Sequence, residues 1–499
     1  MTVAIVGGGI TGLVTAHTLQ TQGVDVIVFE AADRVGGKIL TTEVAGVRVD
    51  AGPDAFLVRE KHMTDLAAEL HLDNALVAPV AGQASLWLDG ALRPLPRRQY
   101  LGVPLDLDEL AEAGLISAAG LARARQDLDD TPQPAITTTT TDDDDDDDDR
   151  IDHEPDDQTV GELIRRHLGD EIMDALVAPL IGGINAGDPD QLSLAAGLPQ
   201  LAAAADHDPS LIRSIRHHLA DQARPADAPV FLTHPDGLGR VVDTLALRLG
   251  TAVRTHTPVR AITPTGIGWR VHADGHPPFD ADAVVLATPA FAAADLVRTV
   301  SADAAALLDG IRYASVVMVT FAFPARSMPA FAGSGFLVPR EAGLTMTACS
   351  WASTKWAHLA EQDLVFLRVS AGHADDESAL ELDDDQLVAT LLAELASTAG
   401  VDAVPVETRI TRWPSSFPQY RPGHLDRVEA IDESLAEEAP GLFVAGAAYR
   451  GLGLPACAQQ GRVAALRVRA HLGRHDNAAD QPNQPAPEST RNGADPPAG

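Results

Sequence analysis

The sequence predicts an α/β protein built on a parallel sheet, with a helical insertion in the middle and a second domain that mixes helices and strands. Three observations carry this. The chain opens on an apolar strand at residues 3–6 and runs at once into Gly7-Gly8-Gly9-Ile10-Thr11-Gly12. Short β-branched or apolar runs at 24–29, 283–287 and 442–445 end in small residues, as buried parallel strands do. Residues 157–168, 170–180 and 385–396 have helical spacing. At 499 residues and 45% hydrophobic, the chain has length and core for about three domains.

Each residue of the opening segment has a physical task. Gly7 makes the tight turn out of the strand, and Gly9 lets backbone approach a pyrophosphate. Gly12 lets the helix at 10–22 pack on the sheet. Gly8, Ile10 and Thr11 complete the loop, whose free N–H groups and helix dipole favour an anion. The second strand ends in Glu30, 18 residues past Gly12, where a carboxylate can accept both ribose hydroxyls. This is a Rossmann-type dinucleotide site in its required strand–turn–helix setting.

Charge and composition narrow the rest. Lys and Arg total 37 against 71 Asp and Glu, a formal charge of −34. So acidic a surface repels phosphate, which argues against nucleic acid and against an anionic bilayer surface. No apolar run approaches the ~18 residues that a spanning helix needs. The greasiest stretch, 283–297, is broken by Thr288, Pro289 and Asp295. The N-terminus has no basic region and no cleavage site, so a cytoplasmic protein is expected. Cys349 and Cys457 are far apart and read as free thiols, and no histidine spacing points to a metal. Five threonines and eight aspartates at 137–149 read as a mobile surface loop, 222–229 as a linker, and 475–499 as a disordered tail.

The residues just past the first motif select the cofactor. Glu30-Ala31-Ala32-Asp33-Arg34-Val35-Gly36-Gly37-Lys38 resembles the extended FAD fingerprint of the amine oxidase and protoporphyrinogen oxidase superfamily. The resemblance implies that Gly37 approaches the flavin diphosphate while Arg34 and Lys38 add charge there. Asp50-Ala51-Gly52-Pro53-Asp54-Ala55-Phe56-Leu57 looks like the segment beside the flavin in bacterial porphyrinogen oxidases. Gly446-Ala447-Ala448-Tyr449-Arg450-Gly451-Leu452-Gly453-Leu454-Pro455-Ala456-Cys457 is closely similar to that family's closing flavin motif. By that likeness Gly446 meets the diphosphate, and Gly453, Leu454 and Pro455 pass beneath the isoalloxazine. The next helix would aim its N-terminus at the flavin pyrimidine. Val259 and Trp413 complete the expected flavin contacts. No second G-x-G-x-x-G comes after a strand, so O₂ rather than a nicotinamide is the expected redox partner.

The likeness extends through Pro179-Leu180-Ile181-Gly182-Gly183-Ile184-Asn185-Ala186-Gly187-Asp188-Pro189, where many members have Tyr at the position of Asn185. It covers most of residues 1–472 and looks most like the actinobacterial branch, which uses the coproporphyrin route to haem. The implied reaction is FAD-dependent oxidation of coproporphyrinogen III, with O₂ as acceptor and H₂O₂ as product. Protoporphyrinogen IX is the alternative substrate. Another amine-oxidase-type enzyme and a non-catalytic porphyrin carrier are more distant readings. Hand-off of product to ferrochelatase is plausible chemistry for a photoreactive porphyrin. No general base stands out, so flavin N5 is expected to carry the chemistry. Propionates need cations, and Arg59, Lys61, Arg97 and Arg450 are candidates, with Gly183 and Asn185 at the substrate loop. The FAD domain is expected from 1–82, 229–300 and 405–472, the helical domain from 86–228, and the substrate domain from 301–404.

Overall fold

The computed structural model describes residues 1–129, 157–221, 228–360 and 362–479. The threonine–aspartate tract at 137–149 lies outside the described residues, as do 222–227 of the expected linker and 480–499 of the expected tail.

A five-stranded parallel sheet forms the base. Its order is Val253–Arg254, Asp25–Phe29, Thr2–Val6, Ala283–Leu286, Leu442–Val444. Alternate residues face opposite layers, because side chains on a strand repeat every two residues. Val3 and Ile5 pack with Leu13 and Val14 of helix Ile10–Thr21, Val241 and Leu245 of helix Gly239–Leu249, and Val468 of the C-terminal helix Leu454–Ala479. Ala4 and Val6 pack with Ala293 of helix Ala290–Val297 and Val428 of helix His424–Glu438. Both faces are covered, which is why the strands read as unbroken apolar runs.

A seven-stranded sheet stands beside it, in the order Glu407–Pro418, Tyr313–Pro324, Leu364–Ala371, Met346–Trp351, Gly335–Leu337, Ala84–Leu88, Ala91–Pro94. All its pairs are antiparallel except Gly335–Leu337 with Ala84–Leu88. Helix Asp384–Ala399 covers one face through Leu387, Leu391 and Leu395. The sequence marks both of its ends. Asp383 and Gln386 form a capping box, and Gly400 closes it at φ +65. Helices between Leu107 and Asp221 build a third core around Leu163, Ile164, Leu176, Leu201 and Ile212.

The structure redraws three assignments. Residues 86–94, taken with the helical region, belong to two strands of the seven-stranded sheet, Ala84–Leu88 and Ala91–Pro94, around an Asp89-Gly90 turn. Both turn residues have positive φ, 52 and 75, and an Asp-Gly turn between apolar runs is itself a hairpin signal. Residues 407–418, taken with the FAD region, pair with Tyr313–Pro324 in the same sheet. Their partner lies about a hundred residues away, so no local signal assigns them. The C-terminal helix continues to Ala479, past the expected start of the tail at 475. Within the expected 170–180 helix, Met173–Val177 forms a π-helical turn.

Asp50, at the end of strand Val47–Asp50, ties this strand to helix Gly239–Leu249. Its carboxylate accepts from the Leu238 N–H at 3.0 Å and the Thr41 hydroxyl at 2.6 Å, while Thr41 accepts from the Gly239 N–H at 2.9 Å. Two helix-start donors are thereby satisfied. Burial pushes the Asp50 carboxyl up to about 6. A raised carboxyl pKa means that the folded state binds the proton more tightly than the unfolded chain. Stability is therefore lost as pH rises from about 4 to about 6, and the deficit stays above that range. Asp50→Asn keeps an acceptor and removes the buried charge. We expect the variant to gain up to ~3 kcal/mol above pH 6 and to converge with the parent below pH 4. Urea unfolding at a series of pH values checks this.

Candidate functional site

A cleft of about 620 Å³ opens at the C-terminal ends of the parallel strands, where an open α/β sheet binds its ligand. One wall is the opening glycine loop. Gly7 sits at φ +107, and a Cβ there would meet the Ala287 carbonyl at 2.6 Å. A Cβ on Gly12 would meet the Gly7 carbonyl at 2.0 Å, so helix and strand touch backbone to backbone. A Cβ on Gly9 would meet nothing within 4 Å, so the backbone there opens onto the cleft it lines. Glu30 fixes the turn: its carboxylate accepts from the Gly8 N–H at 2.7 Å and the Ala32 N–H at 2.8 Å.

The opposite wall comes from the far end of the chain. Gly446, Ala447, Ala448, Leu452, Leu454 and Cys457 line it. Side chains outside the cleft set the shape of this loop. The Tyr420 hydroxyl donates to the Ala447 carbonyl and accepts from the Gly451 N–H at 3.0 Å. His424 stacks on Tyr420 at 4.0 Å and bonds the Tyr449 carbonyl at 2.8 Å. Burial pushes His424 down to about 4, so it is a neutral donor at pH 7. Gln460 accepts from the Gly446 and Arg450 N–H groups and donates to the Gly451 carbonyl at 3.0 Å.

Of the expected cofactor residues, Gly7, Gly9, Ile10, Thr11, Glu30, Ala31, Gly37, Lys38, Val259, Gly446 and Leu454 line this one cleft. Lys38 is half-buried, and desolvation lowers its pKa. Among the described residues no carboxylate pairs with it. The hydroxyl of Thr288, also on the wall, is buried without a partner. Pro289, Asp295 and Tyr313 line the cleft too; they carry no motif, so nothing in the sequence singles them out.

Several expected residues sit elsewhere. Arg34 turns away and donates to the carbonyls of Val35, Gly37 and Ile39, bracing the loop from outside. Gly52, Pro53, Asp54 and Ala55 lie behind the wall. Asp54 is a half-buried ion-pair partner of Arg368 at 2.9 Å and Lys355 at 3.0 Å. Burial alone would raise its pKa, but these two cations outweigh burial and hold the carboxyl well below the usual range. Trp413 donates to the Ala51 carbonyl at 3.1 Å and packs near Ala314 and Val316. Gly453 stands just before the C-terminal helix and Pro455 in its first turn, beside the lining residues Leu452 and Leu454.

The substrate candidates divide similarly. Arg450 pairs with Asp432 at 3.0 Å on helix His424–Glu438, away from the cleft. Its position in the motif gave no hint of that, because Asp432 comes from a separate element. Arg59 donates to the Tyr100 hydroxyl at 2.9 Å, which brings it beside the strand just after Arg97. Lys61 and Arg97 are exposed. Gly183 is exposed at the end of helix Ala178–Asn185. Asn185 is buried, with its amide nitrogen unpartnered and its backbone carbonyl held by Gln419 at 3.0 Å.

Two helix N-termini, a cradle that a Cβ would obstruct, an unpaired lysine and an unpartnered hydroxyl converge on one cleft. This fits the phosphates and polar edge of a flavin dinucleotide. The chain matches the flavin containing amine oxidoreductase family over residues 10–469 and belongs to it. Its cofactor is FAD. Within that family it is 33% identical to coproporphyrinogen III oxidase of Bacillus subtilis, over 94% of this chain and 98% of the relative. It is 33% identical to the enzyme of that name from Mycobacterium tuberculosis, over 91% and 94%. A crystal structure from Exiguobacterium, named as a candidate protoporphyrinogen oxidase, superposes with a TM-score of 0.82 at 29% identity, over 95% and 99% of the two chains.

Tyr420→Phe leaves the Ala447 carbonyl and the Gly451 N–H without their partner. Each such loss costs about 1–3 kcal/mol, so flavin affinity should fall at least about tenfold. The far-UV spectrum should not change. Titration of the flavin-stripped protein with FAD measures this.

Proposed function

We propose that the protein oxidises coproporphyrinogen III to coproporphyrin III in haem biosynthesis. One observation carries the reading: relatives named for that reaction align with nearly the whole chain, including both walls of the cleft. When bound, the flavin supplies two-electron oxidation, so six hydrogens leave in three rounds. The protein supplies binding and orientation. The N–H groups of Gly9–Thr11 and the ammonium of Lys38 hold the diphosphate, and Glu30 takes the ribose while bracing the turn. Arg59, Lys61 and Arg97 are the cations proposed for propionate carboxylates, with the exposed backbone at Gly183 as a further substrate contact. O₂ takes the electrons and leaves as H₂O₂, one for each pair of hydrogens removed. The reaction runs in the cytoplasm; among the described residues no helix is long and apolar enough to cross a membrane. The product then passes to ferrochelatase. The Exiguobacterium name favours protoporphyrinogen IX as a second reading.

Porphyrin fluorescence in air, with the two porphyrinogens supplied in parallel, separates them. We expect faster turnover of coproporphyrinogen III, with peroxide formed alongside. Faster turnover of protoporphyrinogen IX would reverse the substrate assignment and keep the reaction class. A second series uses Arg59→Ala and Arg97→Ala. Each should raise KM about tenfold for the tetra-carboxylate substrate, the worth of one charge-assisted contact, with kcat changed less.

A further inference from the structure

The strand Leu364–Ala371 of the seven-stranded sheet carries Arg368, an arginine with only 6% of its surface exposed. It is not among the residues that line the cleft. One guanidinium nitrogen pairs with Asp54 at 2.9 Å, and another donates to the carbonyl of Gly52. Asp54 is held from the other side by Lys355 and by the indole N–H of Trp356 at 3.2 Å. The loop 51–54 is thus anchored at the carbonyls of Ala51 and Gly52 and at one carboxylate, always by side chains of the seven-stranded sheet or of the turn Ala352–Trp356.

Gly52 in turn sits against Lys38. A Cβ on Gly52 would lie 2.0 Å from the Lys38 carbonyl, and the neighbouring Ala51 N–H donates to the Leu40 carbonyl at 2.8 Å. The two loops are therefore in backbone contact with no room between them. Lys38 lines the cleft. Cys457, whose thiol burial pushes up to about 11, acts on it electrostatically, and Glu30, Arg260 and Asp295 line the same cleft.

We propose that Arg368 is a positioning residue for the flavin site: through the Gly52 carbonyl it fixes the backbone of Lys38, and so places the cation that faces the cofactor. The proposal rests on the reading that this cleft holds FAD. A guanidinium is suited to the task because its planar fork can hold a carboxylate and a carbonyl at once, which a lysine ammonium cannot do with the same geometry. The arrangement makes the substrate sheet and the flavin wall one mechanical unit.

The test is a double-mutant cycle on FAD-reconstituted protein, read by FAD dissociation constant, flavin midpoint potential and flavin absorbance spectrum. Lys38→Met should weaken FAD binding by roughly tenfold or more, because its ammonium is the one assigned to the diphosphate, and should lower the potential by a smaller amount, since a cation in the same low-dielectric cleft favours the reduced anion even at a distance. Arg368→Lys keeps a charge beside Asp54 but gives up the Gly52 contact. It should move affinity, potential and spectrum in the same direction as Lys38→Met. In the Lys38→Met background it should move them no further, because residues acting through one another are non-additive. Gly52→Ala displaces Lys38 while leaving the Asp54–Arg368 pair intact, and should reproduce the shift; it serves also if Arg368→Lys fails to fold. Wild-type affinity and potential in folded Arg368→Lys, whatever its melting temperature, would overturn the proposal. So would effects that simply add to those of Lys38→Met. A Lys38→Met protein with wild-type affinity and potential would instead overturn the placement of the cofactor beside Lys38.

Discussion

The first and last helices of the chain meet with almost no side chain between them. A Cβ on Gly461 would lie 2.7 Å from the Thr11 carbonyl. The Thr11 hydroxyl donates to the Cys457 carbonyl at 3.1 Å, and the Thr15 hydroxyl to the Gly461 carbonyl at 3.1 Å. This contact brings two helix N-termini to the same cleft, so two sets of free N–H groups and two positive dipole ends face one space. It also closes the parallel sheet, because the strand Leu442–Val444 that leads to the last helix must lie beside Ala283–Leu286. A larger residue at Gly461 would separate the two walls and open the cradle.

Charge is distributed to the same end. The chain is strongly acidic overall, yet its cofactor carries two phosphates and its proposed substrate carries carboxylates. Acidic side chains pair with many of the arginines among the described residues. Arg165 alone meets Asp170, Asp174 and Asp190, and Arg98 and Arg450 each hold an aspartate. These exposed or half-exposed pairs contribute little stability individually, but they remove cations from competition for anions. Lys38 is left without an ion pair inside the cleft, where low dielectric strengthens its field.

The two sheets divide the work. The parallel sheet presents backbone to the cofactor, which demands glycine and little else. The seven-stranded sheet supplies the side chains that hold the cofactor loops from behind: Arg368 and Trp413 on the 51–54 loop, and Tyr420, just past its edge strand, on the 446–451 loop. Removing any of these leaves a buried polar group unsatisfied, at a cost set by desolvation rather than by the small net worth of one hydrogen bond.

The sequence by itself determined the cradle, the parallel strands and the family. Turn geometry, the two-residue period of strands and the glycines of a close helix–strand contact are local properties, fixed by residues adjacent in the chain. Glu30, Lys38 and Gly446 were legible for that reason, each within a motif. The tertiary structure decided which way side chains point and which distant strands pair. Arg34 looks like a diphosphate ligand in its motif, but the nearest unsatisfied groups are its own loop's carbonyls. Arg450 stands in the closing motif, but Asp432 from another helix claims it. Asp54 reads as a flavin neighbour and becomes instead the carboxylate that holds Arg368. Those outcomes depend on partners up to several hundred residues away, brought close only when the sheets dock, and no periodicity or spacing in the chain encodes them.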